Sequence, residues 1–263
     1  MISHAQVFKR VQPALGTLIE LSVEHDSFEK AQALMTSAFA EARRLESVLS
    51  AFTPWSELSR LNSAPLETVV SVSAELEFVL HLGRKIEKLS HRSFRLMPEC
   101  THETESCYSL NGNKVLKATN CRFDLGGIAK GYIVDRLFEE LKTQLEDRPF
   151  SVNAGGDLRC QGDHSVEIRV PTLGDEKRYE LAIQNCAVAS SSLRGLQVGQ
   201  PAARYAGRSG EAVAVTVMGA LCAAADALTK AVLFGGWNEA LSTAYPTAQI
   251  FAFDRFGNLH DSQ

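Results

Sequence analysis

An α+β fold is what the sequence predicts, and three observations lead to it. The first half carries one alternating strand followed by two long amphipathic helical patterns. The second half carries a series of short strand-like runs broken by glycine turns. Strands and helices then follow one another without the regular βα alternation that builds a doubly wound parallel sheet.

The first strand is GTLIELSVEHD, with Ile19, Leu21 and Val23 on one side and Glu20, Ser22 and Glu24 on the other, the period-2 pattern of a half-buried strand. Asp26 followed by Glu29 reads as a capping-box helix entry. The helix behind it spaces Ala31, Met35, Ala38, Ala42, Leu45 and Leu49 three or four residues apart, with Glu41, Arg43, Arg44 and Glu46 outside. AFTPWSELSRLNSAP reads as a loop, broken by Pro54 and rich in residues that bond their own backbone. Ser73 opens a second amphipathic helix through Leu76, Val79, Leu80, Ile86 and Leu89. CRFDLGGIAKG reads as a short strand ending at Asp124, a glycine turn and the start of a helix that continues through Val134, Leu137, Phe138 and Leu141. FSVNAGGDLRCQG is strand, Gly-Gly turn, strand. SVEIRVP, RYELAIQN, AVASSS and EAVAVTVMG are further strands, an Ala-rich helix runs from about Leu221 to Phe234, and AQIFAFDRFGNLHD closes as a hairpin around Asp254 to Gly257.

With 263 residues, no internal repeat and no low-complexity linker, the chain reads as a single domain over 1–263. A net charge of −4 offers no positive field to hold nucleic acid or an anionic membrane. MISHAQVFKR has no apolar h-region, so it does not read as a secretory signal. MGALCAAADALTKAVLFGGW is interrupted by Asp226 and Lys230, which excludes it as a transmembrane span. The expected compartment is the cytoplasm, or the periplasm if a leader has been removed. The six cysteines then read as free thiols, with Cys100 and Cys107 the pair to expect in a periplasmic protein. The run CTHETESC, holding Cys100, His102 and Cys107, lacks the second Cys/His pair of a zinc site.

Three segments carry chemistry. In LGGIAKG the glycines Gly126, Gly127 and Gly131 fit neither the dinucleotide fingerprint nor the P-loop. A strand end, two glycines and a helix start nevertheless make an anion site, to which Lys130 adds a positive charge. The same residues also read as a tight turn with a solvated lysine. AGGDLRCQG reads as a hairpin turn in which Asp157 bonds its own backbone. In AAADALTKAVL, Asp226 and Lys230 read as an exposed i,i+4 pair, or Asp226 and the Thr229 hydroxyl read as hard oxygen ligands for Mg²⁺.

Taken in order, LGT at Leu15–Thr17, TPWSELSRLN, FDLGGIAKGYIVDRL, VNAGGDLRCQG, AVASSS and ADALTKAV make a set that resembles the ApbE family, the FAD:protein FMN transferases, along nearly the whole chain. The resemblance implies a T-fold-like body of mixed or antiparallel sheets packed with helices. It implies Mg²⁺ as cofactor and FAD as substrate. FMN would pass to a Ser/Thr of an acceptor flavoprotein, with AMP released; the alternatives are a flavin-binding or interaction protein that has lost transfer, and an FAD pyrophosphatase. It implies a metal site at Asp226 and Thr229 with the Gly127 carbonyl, and a flavin nucleotide site at Leu15, Ser93, Phe94, Arg95, Asp124 and Lys130. The chain departs from the family pattern in four places. SFRLMP has Arg95 where members carry Asp. The interval LRGLQVGQPAARYAGRSG lacks the family's His-x-x-Asp-Pro segment, a TSG-like stretch reads SSS, and DALTK stands where DALAT is common, placing Lys230 in the usual threonine slot.

Overall fold

The computed structural model of the chain describes residues 5–14, 16–102, 104–172, 176–193 and 212–260. In chain order the elements are β1 (Gln6–Ala14), β2 (Thr17–His25), α1 (Phe28–Leu49), α2 (Glu57–Ser63), β3 (Val69–Ser71), α3 (Ala74–Leu89), α4 (Thr104–Cys107), β4 (Tyr108–Asn111), β5 (Lys114–Lys117), α5 (Ala129–Leu145), β6 (Phe150–Ala154), β7 (Asp157–Gln161), β8 (Asp163–Pro171), β9 (Glu176–Gln184), β10 (Ala187–Ser192), β11 (Ala212–Gly219), α6 (Cys222–Gly235), α7 (Glu239–Ala244), β12 (Gln249–Asp254) and β13 (Leu259–His260).

Eight strands form one sheet in the order β1-β2-β6-β7-β10-β11-β12-β13, and every neighbouring pair is antiparallel. The α+β expectation therefore holds, with purely antiparallel pairing among the described residues. Because strand side chains alternate, Ile19, Leu21 and Val23 of β2 and Phe150, Val152 and Ala154 of β6 share one buried face. They join Met35, Ala38 and Ala42 of α1, Ile133, Leu137 and Leu141 of α5, and the small residues of α6 in a single core. On the other face the β8–β9 ribbon packs through Ile183 against Leu158, Cys160 and Val188, and through Ile168 and Val170 against Ala214 and Phe253. No helix among the described residues is long and apolar enough to cross a membrane.

The alternating and helical patterns map onto β2, α1, α3, α5 and α6, with local differences. Ser27 rather than Asp26 caps α1, its hydroxyl accepting from Lys30 N at 3.3 Å. The segment read as a loop contains α2, capped by Ser56 accepting from Ser59 N at 2.9 Å and buried through Leu58 and Leu61. The strand expected before Asp124 does not form. Its backbone is satisfied another way: Asn62 takes both main-chain groups of Phe123, at 2.9 and 2.7 Å, and Asp124 N donates to Leu96 O at 2.8 Å. A side-chain clamp here does the work of a neighbouring strand.

Candidate functional site

Three of the segments singled out by sequence meet at one point. Lys130, in the first turn of α5, places its ammonium 2.8 Å from Asp157 Oδ2 and 3.3 Å from Asp226 Oδ2. Lys230 donates to the other oxygen of Asp226, Oδ1. Two carboxylates from β7 and α6 thus meet two ammonium groups from α5 and α6.

Local sequence explains the convergence. Gly131 lets α5 and α6 touch backbone to backbone, since a Cβ there would lie 2.4 Å from Cys222 O. The alanines of α6 leave the crossing thin enough for the Gly131 N–H to point at Asp226 Oδ2, 3.4 Å away. Asp157 follows the Gly155-Gly156 turn, where φ values of +64° and +102° require glycine. Asn153 caps that turn by accepting from Gly156 N at 2.9 Å. The reading of Asp157 as the residue bonding its own turn is therefore corrected: Asn153 holds the turn and Asp157 turns inward to Lys130. The exposed-pair reading of Asp226 and Lys230 is corrected too. The pair forms, but Asp226 is 0% and Lys230 8% exposed at the side chain.

The N–H groups expected to await a phosphate at the start of α5 are largely engaged within the protein. Ile128 N and Ala129 N bond Leu125 O at 3.0 and 2.8 Å, and Gly131 N faces Asp226. The anion at this helix N-terminus is the Asp226 carboxylate itself. Burial would raise its pKa, but Lys130 and Lys230 hold it below the ordinary carboxylate value. Burial, then the charge of Asp226, pushes Asp157 up despite the lysines. For Lys130, burial opposes the charge, and the two carboxylates override it and hold the ammonium charged above its ordinary value. Of the four groups Lys130 is the one that is partly exposed, at 26% of its side chain against 3% for Asp157. A ligand arriving from solvent meets Lys130 first.

The donor set does not fit a resident Mg²⁺. Both oxygens of Asp226 already accept from ammonium groups. The Thr229 hydroxyl donates to Asp226 O at 2.7 Å and so accepts from Ser191 Oγ, also 2.7 Å away. In the turn before α5 the Gly126 oxygen accepts from Lys130 Nζ at 3.5 Å. Among the described residues no group of three or more His, Cys, Asp or Glu side chains is arranged to hold a metal.

The remaining expected site residues are spread around this cluster. Leu15 lies outside the described residues, as does nearly all of the interval lacking the family's histidine. A broad depression of about 710 Å³ is lined by Pro13, Gly16, Thr17 and Gly155; Gly155 belongs to the turn that leads into Asp157. Asp124 Oδ1 accepts from Gly126 N at 2.9 Å and shapes the turn before α5. Phe94 is buried in the core. Ser93 packs on Gly235, where a Cβ would lie 1.9 Å from its hydroxyl, about 13 Å along α6 from Asp226 at 1.5 Å per residue. Arg95 donates to Arg92 O at 3.0 Å and Cys100 O at 3.3 Å, so its guanidinium ties the 92–100 loop together. The Cys100 and Cys107 sulfur atoms are in contact at 2.7 Å.

Besides Asp157, the sequence reading missed Asp135. Its carboxylate accepts from Cys222 N and Ala223 N, each at 2.9 Å, and pairs with Arg159 at 3.0 Å. Asp135 thus caps α6, which has no cap of its own at Leu221. The one available signal was an aspartate on the apolar side of FDLGGIAKGYIVD.

Over 99% of its length, and 97% of the other chain, the structure superposes on the flavin transferase ApbE of Vibrio cholerae with a TM-score of 0.82 at 18% identity. The apo flavinyl transferase ApbE of Pseudomonas stutzeri matches with a TM-score of 0.79 at 20% identity, over 100% of this chain and 95% of that one. The ApbE protein of Thermotoga maritima matches with a TM-score of 0.81 at 20% identity, over 98% and 97%. At such identities these likenesses establish the fold. No curated protein matches the sequence significantly. The ApbE family profile matches residues 15–99 and 99–252, and the chain therefore belongs to the ApbE family.

Proposed function

We propose that the chain is a flavin transferase that takes FAD as donor, passes FMN to a Ser or Thr hydroxyl of a partner protein and releases AMP. The observation that carries this reading is the meeting of the LGGIAKG turn, the AGGD turn and the ADALTK helix at Lys130, the exposed member of an otherwise buried cluster. The solved relatives of this fold named as flavin transferases support the same reading.

In the transfer, the acceptor oxygen bonds to the FMN phosphorus and the bridging P–O bond breaks. AMP leaves with the electron pair, and the hydroxyl proton goes to the departing phosphate or to solvent. Lys130 meets the pyrophosphate charge, which grows on the leaving oxygen as the bond breaks; preorganised charge of this kind stabilises the transition state. The Asp226 oxygens, already accepting from Lys130 and Lys230, leave no ligand for Mg²⁺ in this step. The depression beside Gly16 and Gly155 is the place for the nucleotide.

A second reading, a flavin-binding protein without transfer, is favoured by one observation: Arg95, which replaces the family's carboxylate, is committed to backbone carbonyls. Titrating FAD by flavin fluorescence and assaying AMP separates the two. Binding with AMP and a covalently labelled acceptor supports transfer. Binding without AMP supports the second reading, and no binding sinks both.

A further inference from the structure

We propose that Lys230 is a built-in cation: its ammonium supplies to Asp226 the positive charge that a metal would otherwise supply, so the site is assembled without a divalent ion and binds none. The inference does not depend on the flavin reading, because it concerns how a buried carboxylate is neutralised.

Three observations carry it. First, Asp226 is fully buried, and a buried carboxylate needs a paired charge. Lys230, four residues on, provides it from the same helix, with the acidic residue N-terminal in the favourable order. Second, the charges balance. In their ionised forms Asp157 and Asp226 contribute −2, and Lys130 and Lys230 contribute +2, so a further +2 would leave a largely buried cluster strongly positive. Third, every polar atom of Asp226 that could face an ion is engaged. Oδ1 takes Lys230, Oδ2 takes Lys130 and the Gly131 N–H, and the main-chain oxygen takes the Thr229 hydroxyl. Lys230 has little freedom to withdraw, being 8% exposed among the alanines and leucines of α6.

Removing the Lys230 ammonium should reverse the situation. The cluster would carry −1, Asp226 Oδ1 would open, and the space of the lysine side chain would admit a hydrated ion. A site of carboxylate, hydroxyl and water is the kind that magnesium accepts.

The test is metal binding, read independently of any activity. The full-length protein, freed of metal with EDTA and dialysed, is titrated with Mn²⁺ while free Mn²⁺ is followed by electron paramagnetic resonance. Melting is recorded in parallel with and without Mg²⁺. The parent protein should leave the free Mn²⁺ signal unchanged and melt at the same temperature in Mg²⁺ and EDTA. Lys230→Ala should bind one Mn²⁺ per chain at least tenfold more tightly than the parent, melt higher in Mg²⁺, and lose both properties when Asp226→Asn is added. Stoichiometric Mn²⁺ binding by the parent that Asp226→Asn abolishes would overturn the proposal. So would a folded Lys230→Ala variant that ignores both ions. Should Lys230→Ala fail to fold, Lys230→Met keeps the stem volume and the parent titration still decides.

Discussion

Lys230 donates back along its own helix to Asp226, and both side chains are buried where α6 crosses α5. An ion pair that looks like an ordinary surface i,i+4 contact in sequence is here buried. Removing one partner of a buried pair costs about 3–5 kcal/mol, because it strands the other charge. Asp226→Asn and Lys230→Met should each lower the unfolding free energy, measured by urea titration, by an amount in that range. The double variant should lose clearly less than the sum. Strict additivity of the two losses would mean that the pair is not coupled.

Gly131 is the contact point of the two helices. A Cβ there would lie 2.4 Å from Cys222 O and 2.8 Å from Ala223 Cα, both backbone atoms that cannot step aside. Gly131→Ala should destabilise by about 1–3 kcal/mol through overpacking. Gly126→Ala is the control, since its Cβ would meet only the Asp124 carboxylate at 3.1 Å. Equal melting temperatures for the two variants would contradict the close crossing.

Arg95 acts as a strap on its own loop. Arg95→Ala should cost stability by about 1–3 kcal/mol, as two backbone carbonyls lose a charged donor. FAD affinity should hold to within about twofold, because the lost bonds are internal to the protein; a change of 1.4 kcal/mol would be tenfold. A large loss of FAD affinity at unchanged stability would place the guanidinium on the nucleotide instead.

Cys186 is the thiol expected to react first. A hydrogen bond from Cys160 holds it down at about 7, against burial, while the Cys160 thiol itself is raised by that bond and by burial. Below pH 7 the Cys186 thiol is protonated and slow, and above it the thiolate predominates. Iodoacetamide labelling of the Cys186 peptide, followed by mass spectrometry, should reach half its maximal rate near pH 7. A half-point near the ordinary 9.0 would show that the Cys160 bond is not made.

The long periodic elements were legible because their side chains report on a face. Ile19, Leu21 and Val23 alternate, and Ala31, Met35, Ala38 and Ala42 step by helical turns. Gly126 to Gly131 announced a helix start for a different reason, since few residues besides glycine let backbones approach so closely. The short α2 was hidden by Pro54 and by its serines, which cap as readily as they form loops. The strand expected at Phe123 failed because Asn62, far away in sequence, supplies the hydrogen bonds. Asp157 was misread for the same reason, since its partner Lys130 lies in another element. The edge strand β1 carries mostly exposed side chains and shows little apolar signal. The candidate site was thus legible as separate motifs, while its charge balance depends on which side chains the fold brings together.

Central to all of this is that a charge cluster exposing only Lys130 serves FAD chemistry without a divalent ion. The most direct measurement is AMP released from FAD in EDTA-containing buffer, quantified by chromatography with and without candidate acceptor flavoproteins. AMP should form in EDTA, together with covalent flavin fluorescence on an acceptor. FAD returned intact with every acceptor, in EDTA and in Mg²⁺ alike, would contradict the transferase reading, and AMP formed only when Mg²⁺ is added would contradict the metal-free site.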